Sequence, residues 1–231
     1  TTIALIKRNV KLFFKDKGAF FSSRITPVIL LVLYATFLAK VFKDSFNGAI
    51  EGALAGGFVV NNLEGIINGT VGGQLVSSLL AVSCVTVAFC SNLTMISDKV
   101  TGARKDLLTS PVRRSSLAIA YFCASLLSTL IISYVTTAAG LVYLAFTGWY
   151  LSFGDVLLII LDVFLLTSFG VALSSVINAF LSTSAQASAV GTIVSAGYGF
   201  VCGAYMPISQ FGEGLRNFLG FLPGTYGTSI I

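Results

Sequence analysis

The chain has 231 residues, of which 55% are hydrophobic and only 10% charged, and its formal net charge is +5. Its mean hydropathy is +0.92, whereas an ordinary soluble domain carries about a quarter charged residues. A fold of this length cannot hide that much apolar surface from water. Composition therefore excludes a soluble enzyme and a nucleic-acid-binding module, and leaves an all-α, polytopic membrane protein in a cell membrane.

Residues 1–24 read TTIALIKRNVKLFFKDKGAFFSSR. On a helix, Ile3, Ile6, Val10, Phe13 and Phe14 share one side, and Lys7, Arg8, Lys11 and Lys15 share the other. That pattern predicts a basic amphipathic helix in the membrane interface. Pro27 then opens an apolar run, 28–42, with Lys40 placed to snorkel at its far end. Further runs at 74–96, 117–147, 156–181 and 185–206 make five spans. The third has no charge and exceeds the roughly 20 residues a span needs, so it tilts or projects. The fourth contains one acid, Asp162. The polar loop at 43–73 carries Asp44, Glu51, Glu64 and the triplet NGT at Asn68.

Basic residues set the orientation. Lys7, Arg8, Lys11, Lys15, Lys17 and Arg24 precede the first span, and Lys99, Arg104, Lys105, Arg113 and Arg114 lie between spans two and three. Both groups fall on one side, which places the amino terminus and the 97–116 loop in the cytoplasm. The turn between spans four and five has no basic residue and adds no support. After span five, 207–231 begins and closes with proline and glycine. It places Phe211, Leu215, Phe218 and Leu219 at helical spacing, and reads as an outer re-entrant segment holding Pro207, Phe211, Phe218 and Pro223.

Cys84, Cys90, Cys123 and Cys202 each lie inside an apolar run, as buried free thiols do. The chain has no histidine, which removes the commonest metal ligand and general base. No phosphate-binding GxxxxGK[ST] loop occurs. No metal site, catalytic residue or resident cofactor is expected. The glycines at 197, 199 and 203 sit in an apolar run, where small residues permit close helix packing.

The segment from Ser97 to Arg114, SDKVTGARKDLLTSPVRR, is the densest in charge. Asp98 and Thr101 offer capping chemistry, ARKDLL follows, and Pro111 ends the helix. The prediction is a short surface helix presenting Leu107 and Leu108 beside Arg104, Lys105 and Asp106, a form suited to a groove on a soluble partner. A solvated topogenic loop fits the same residues.

Asp98, Gly102 and LLTSPVRR at 107–114 resemble the cytoplasmic loop of ABC-2-type transporter permeases, although many members carry a glutamate-rich stretch where this chain has Asp98 and Lys99. The amphipathic entry, the span order, GAYMPIS after span five and FLPGTYG also resemble that family's plan. The resemblance implies six spans, of which the sixth is absent from this chain, in a single transmembrane domain over 1–231. It implies a coupling segment made of Asp98, Gly102, Arg104, Lys105, Asp106, Leu107, Leu108, Pro111, Arg113 and Arg114. It implies an ATP-binding cassette subunit that holds ATP and Mg, and a second permease subunit, identical or not, surrounded by membrane lipid. The expected activity is export of a drug, lipid or other amphiphile across a bacterial-type inner membrane. An ion-coupled secondary transporter using Asp162 and a non-transporting scaffold are the competing readings.

Overall fold

Long apolar runs with no internal acceptor other than their own backbone must form helix, and helix is the only regular structure among the described residues. The computed structural model describes residues 2–33, 40, 63–110, 112–147, 151–204, 212 and 214. Pro111, Pro207, Phe211, Phe218 and Pro223 lie outside them, as does most of the 43–62 loop. The helices are α1 (Thr2–Lys15), α2 (Lys17–Leu33), α3 (Leu63–Val100), α4 (Ala103–Thr109), α5 (Arg114–Thr147), α6 (Phe153–Phe180) and α7 (Ser184–Val201).

Three of them hold stretches long and apolar enough to cross a membrane: Gly69–Val100, Arg114–Phe146 and Phe153–Phe180. They match the second, third and fourth predicted spans. Of the first, 28–42, the described residues are 28–33, which end α2, and 40. The fifth is α7, which is shorter and more polar because Ser184, Gln186, Ser188, Thr192 and Ser195 interrupt it. Helix α3 starts at Leu63, well before the predicted 74, so Asn68 lies within a helix and not in a loop. Its 38 residues span about 57 Å at 1.5 Å per residue, well beyond a hydrocarbon core of about 30 Å.

Helix α3 is the centre of the bundle, with α2, α5, α6 and α7 packed against it. Val76, Leu80, Val85, Val163 and Leu166 form the principal core. Gly170 of α6 lets the two backbones approach, because a Cβ there would lie 3.2 Å from the Val85 Cα. The outer faces carry Leu157, Leu158, Leu161, Leu165 and Val176 in the open, the expected arrangement where lipid is the solvent.

The amphipathic helix α1 packs along the bundle. Leu5 packs with Leu117, Ala120 and Tyr121, and two turns later Phe13 packs with Val87 and Ile132. Helix α1 therefore climbs beside α3 and α5, because its apolar stripe finds a protein groove there. The interruption at Asp16 is a single residue. Its N–H still bonds the Leu12 carbonyl, and the Phe20 N–H bonds the Asp16 carbonyl. The helical backbone of α2 runs on through Pro27, so that proline does not open the first span.

Helix ends follow local chemistry. The Asp155 carboxylate accepts from the Ser152 N–H at 2.8 Å, and Thr183 Oγ1 accepts from the Gln186 N–H at 3.3 Å. Gly203 has φ +76°. The Ala204 and Gly203 N–H groups bond the Gly199 and Phe200 carbonyls, a Schellman ending. Gly203 thus stops α7 instead of packing it.

Candidate functional site

The end of the bundle where α3 hands over to α4 gathers the charge. Asp98 was expected to cap a surface helix. It lies instead within the last turn of α3 and is 6% exposed. The Arg8 guanidinium donates to both its oxygens, at 2.8 and 3.1 Å, and the Tyr121 hydroxyl donates to it at 2.6 Å. One carboxylate thereby ties α1, α3 and α5 together. The Asp98 hydrogen bond is the chief cause that holds the Arg8 pKa above its ordinary value, against the opposing effect of partial burial. Arg8 also donates to Asn9 Oδ1 at 2.8 Å.

Lys99, the next residue, reaches another way. Its Nζ donates to the carbonyls of Asn178, Ala179 and Leu181 at 3.0, 3.1 and 3.0 Å. These belong to the last turn of α6 and its C-cap, where carbonyls run short of helical partners, although Asn178 also accepts from the Leu181 N–H, and the dipole is negative. The α6–α7 turn, which carries no basic residue, is thus fixed on the same side as the basic loop.

Gly102 separates α3 from α4 with φ +82°, a conformation that costs other residues about 1 kcal/mol or more. No side chain caps α4; the Thr101 hydroxyl instead donates back to the Ser97 carbonyl at 2.8 Å. Within α4 the paired leucines diverge. Leu107 packs against the cluster of Leu5, Leu117 and Tyr121, while Leu108 is 38% exposed. Arg104, Lys105, Asp106, Arg113 and Arg114 are exposed. The structure thus separates the ten residues grouped from the sequence: Asp98 and Leu107 turn inward, Gly102 makes the turn between α3 and α4, Pro111 is outside the described residues, and the other six are at the surface.

Deeper in the bundle, Asn92 bonds three side chains. Its Nδ2 donates to Ser174 Oγ and to Ser175 Oγ, the latter at 3.0 Å, and its Oδ1 accepts from the Ser125 hydroxyl at 2.6 Å. Ser91 and Thr129 hydroxyls meet at 3.0 Å beside it. A groove of about 250 Å³ runs between α3 and α7, lined by Thr86, Phe89, Cys90, Ser188, Thr192 and Ser195 among others. Asp162 is half-buried on α6. None of the four cysteines, all among the described residues, is in a disulfide, and the described residues contain no cluster of metal-ligating side chains.

Sequence reasoning singled out neither Arg8, Tyr121, Lys99 nor Asn92 as a connecting residue. Asn92 had a signal, being a carboxamide inside an apolar run. The others had none, since topogenic bases and interfacial tyrosines look alike until partners are known.

A family model described as ABC-2 type transporter matches residues 1–231. The chain belongs to that family. No curated protein and no solved structure matches it. This ABC-2 family member is a multi-pass membrane protein and the permease component of an ABC transporter. A bundle with buried hydroxyls and amides, apolar outer faces and a charged, braced end suits that role.

Proposed function

We propose that this chain is the permease of an ATP-driven exporter and that a separate ATP-hydrolysing subunit docks on α4 from the cytoplasm. The observation that carries the reading is the division of labour in α4 and the end of α3. Leu108, Lys105 and Asp106 face outward, where a partner can seize them, and Leu107 faces the interior. A push on α4 would reach α5 and α1 through Leu107, while the preceding turn is tied to α1 by Asp98 and to α6 by Lys99. ATP and Mg would sit on the partner.

The substrate class we favour is an amphiphile such as a drug or lipid. The groove between α3 and α7 supports it, since it sets the hydroxyls of Thr86, Ser188, Thr192 and Ser195 beside the Phe89 ring. A second permease chain would complete the path. Reconstitution with the ATPase subunit tests the proposal: export should follow ATP and stop without the partner. Transport that persists without ATP and follows an ion gradient would overturn it. A membrane-impermeant label should miss a cysteine placed at Ser110 in intact cells, and labelling from outside would reverse the orientation.

A further inference from the structure

A pocket of about 400 Å³ lies between α3, α4, α5 and α6 at the basic end. Its walls divide by chemistry. Lys99, Arg104 and Arg114 bring positive charge, and Leu117, Phe122 and Ala179 are among those that make an apolar floor. Among the described residues no acidic side chain lines it. Asp98, the nearest acid in the chain to Lys99, is already committed to Arg8 and Tyr121. Among the described residues neither Arg104 nor Arg114 has an acidic partner at ion-pair distance. Lys99 and Arg104 both line the pocket. Three cations lining one pocket give it a positive potential that favours an anion.

We infer that this pocket binds the headgroup phosphate of an anionic phospholipid from the adjoining leaflet, with the start of an acyl chain on the floor. Guanidinium groups match phosphate oxygens in pairs. The ammonium of Lys99 spends its protons on the α6 carbonyls, so it contributes as a fixed charge. Arg114 begins α5, whose first-turn N–H groups lack helical acceptors and favour an anion. The floor selects a lipid over an aqueous anion. Leu117 and Phe122 belong to a stretch apolar enough to span a membrane. Apolar Ile119, Val176 and Phe180 are exposed on the same stretches of α5 and α6. Basic pockets between spans at a membrane face are suited to anionic headgroups. The inference does not need the docking of an ATPase subunit.

The test uses the full chain in mixed bilayer discs of phosphatidylglycerol and phosphatidylcholine with matched acyl chains. Lipid retained after extraction is counted by native mass spectrometry. The natural chain should retain phosphatidylglycerol preferentially. The variant R104Q/R114Q should lose roughly fivefold of that preference per arginine, and R104K/R114K should keep part of it. The control K105Q/R113Q removes the same charge from the loop outside the pocket and should keep the preference. Equal retention by R104Q/R114Q, or equal loss by K105Q/R113Q, overturns the inference. Abolition of the preference by inorganic phosphate would assign the site to the free anion and overturn the lipid. If R104Q/R114Q keeps its lipid but no longer holds the ATPase subunit, both arginines belong to the docking face and the inference fails. Unchanged melting of the variants in phosphatidylcholine alone shows that they fold.

Discussion

Leu107 and Leu108 are neighbours in α4 and do different things. Leu107 is half-buried against Leu5, Leu117 and Tyr121, and Leu108 stands open. A double substitution would mix the two effects. Leu107→Ala should cost about 2 kcal/mol of packing, near the low end for a truncated leucine, and lower the amount of protein in the membrane. Leu108→Ala should leave the amount and the melting temperature unchanged and weaken ATPase capture by about 2 kcal/mol if it is an interface anchor. Membrane level, melting and pull-down measured together check this; full capture by Leu108→Ala would remove α4 from the interface.

The Arg8–Asp98 pair should behave as a unit. Arg8 is about a third exposed and Asp98 nearly closed off. A charged hydrogen bond in such a place contributes about 1.5–3 kcal/mol, toward the lower value here because water reaches the arginine. Asp98→Asn should destabilise more than Arg8→Gln, because it also weakens the acceptor of Tyr121. In a double-mutant cycle the two losses should fall short of adding. Simple additivity in thermal melts would show that the contact does not stabilise the fold. Arginine stays charged through the usable alkaline range, and the raised pKa means that its share of stability is lost only as pH climbs through the folded-state value, beyond that range. Its contribution should be flat across the usable alkaline range.

Most of this architecture could be read from the chain because the apolar runs are long. The three strongest, around 74–96, 117–147 and 156–181, coincide with helices, since nothing else satisfies a backbone in lipid. The boundaries were less legible. Leu63, Ile66 and Ile67 extend α3 through glycines that look like a loop, and Pro27 sits inside α2 although prolines usually open helices. The site was legible as a segment but not in its directions. Seven residues of α4 complete barely two turns, so small rotations decide whether Leu107 or Leu108 faces inward. Asp98 looked like a cap because its partner Arg8 is 90 residues away, and no local pattern encodes that distance.

Lys99 should be hard to replace. Lys99→Met removes the Nζ donor from the carbonyls of Asn178, Ala179 and Leu181; Asn178 keeps the Leu181 N–H, and the loss should cost about 1–3 kcal/mol. Amide hydrogen exchange in the last turn of α6 should quicken while that of central α3 does not. Lys99→Arg should restore part of the protection. Uniform exchange in Lys99→Met and the natural chain would show that water serves those carbonyls equally well.

Asp162 provides the discriminating experiment between drives. If the exporter runs on ATP, Asp162→Asn should change transport only modestly, and collapse of the ion gradient with ATP held constant should leave transport intact. Complete loss in either experiment would favour an ion-coupled transporter, in which an intramembrane acid carries the coupling ion.

The adjacency of Asp98 and Lys99 also orders biosynthesis. When α3 leaves the ribosome, Arg8 has already been made, so Asp98 can close its contact at once. Lys99 cannot, because Asn178 lies 79 residues further on. Between those moments the nascent protein has Asp98 latched while Lys99 still lacks its α6 carbonyls. Translation slowed between 100 and 178 lengthens that window, and a Lys99 variant never closes it.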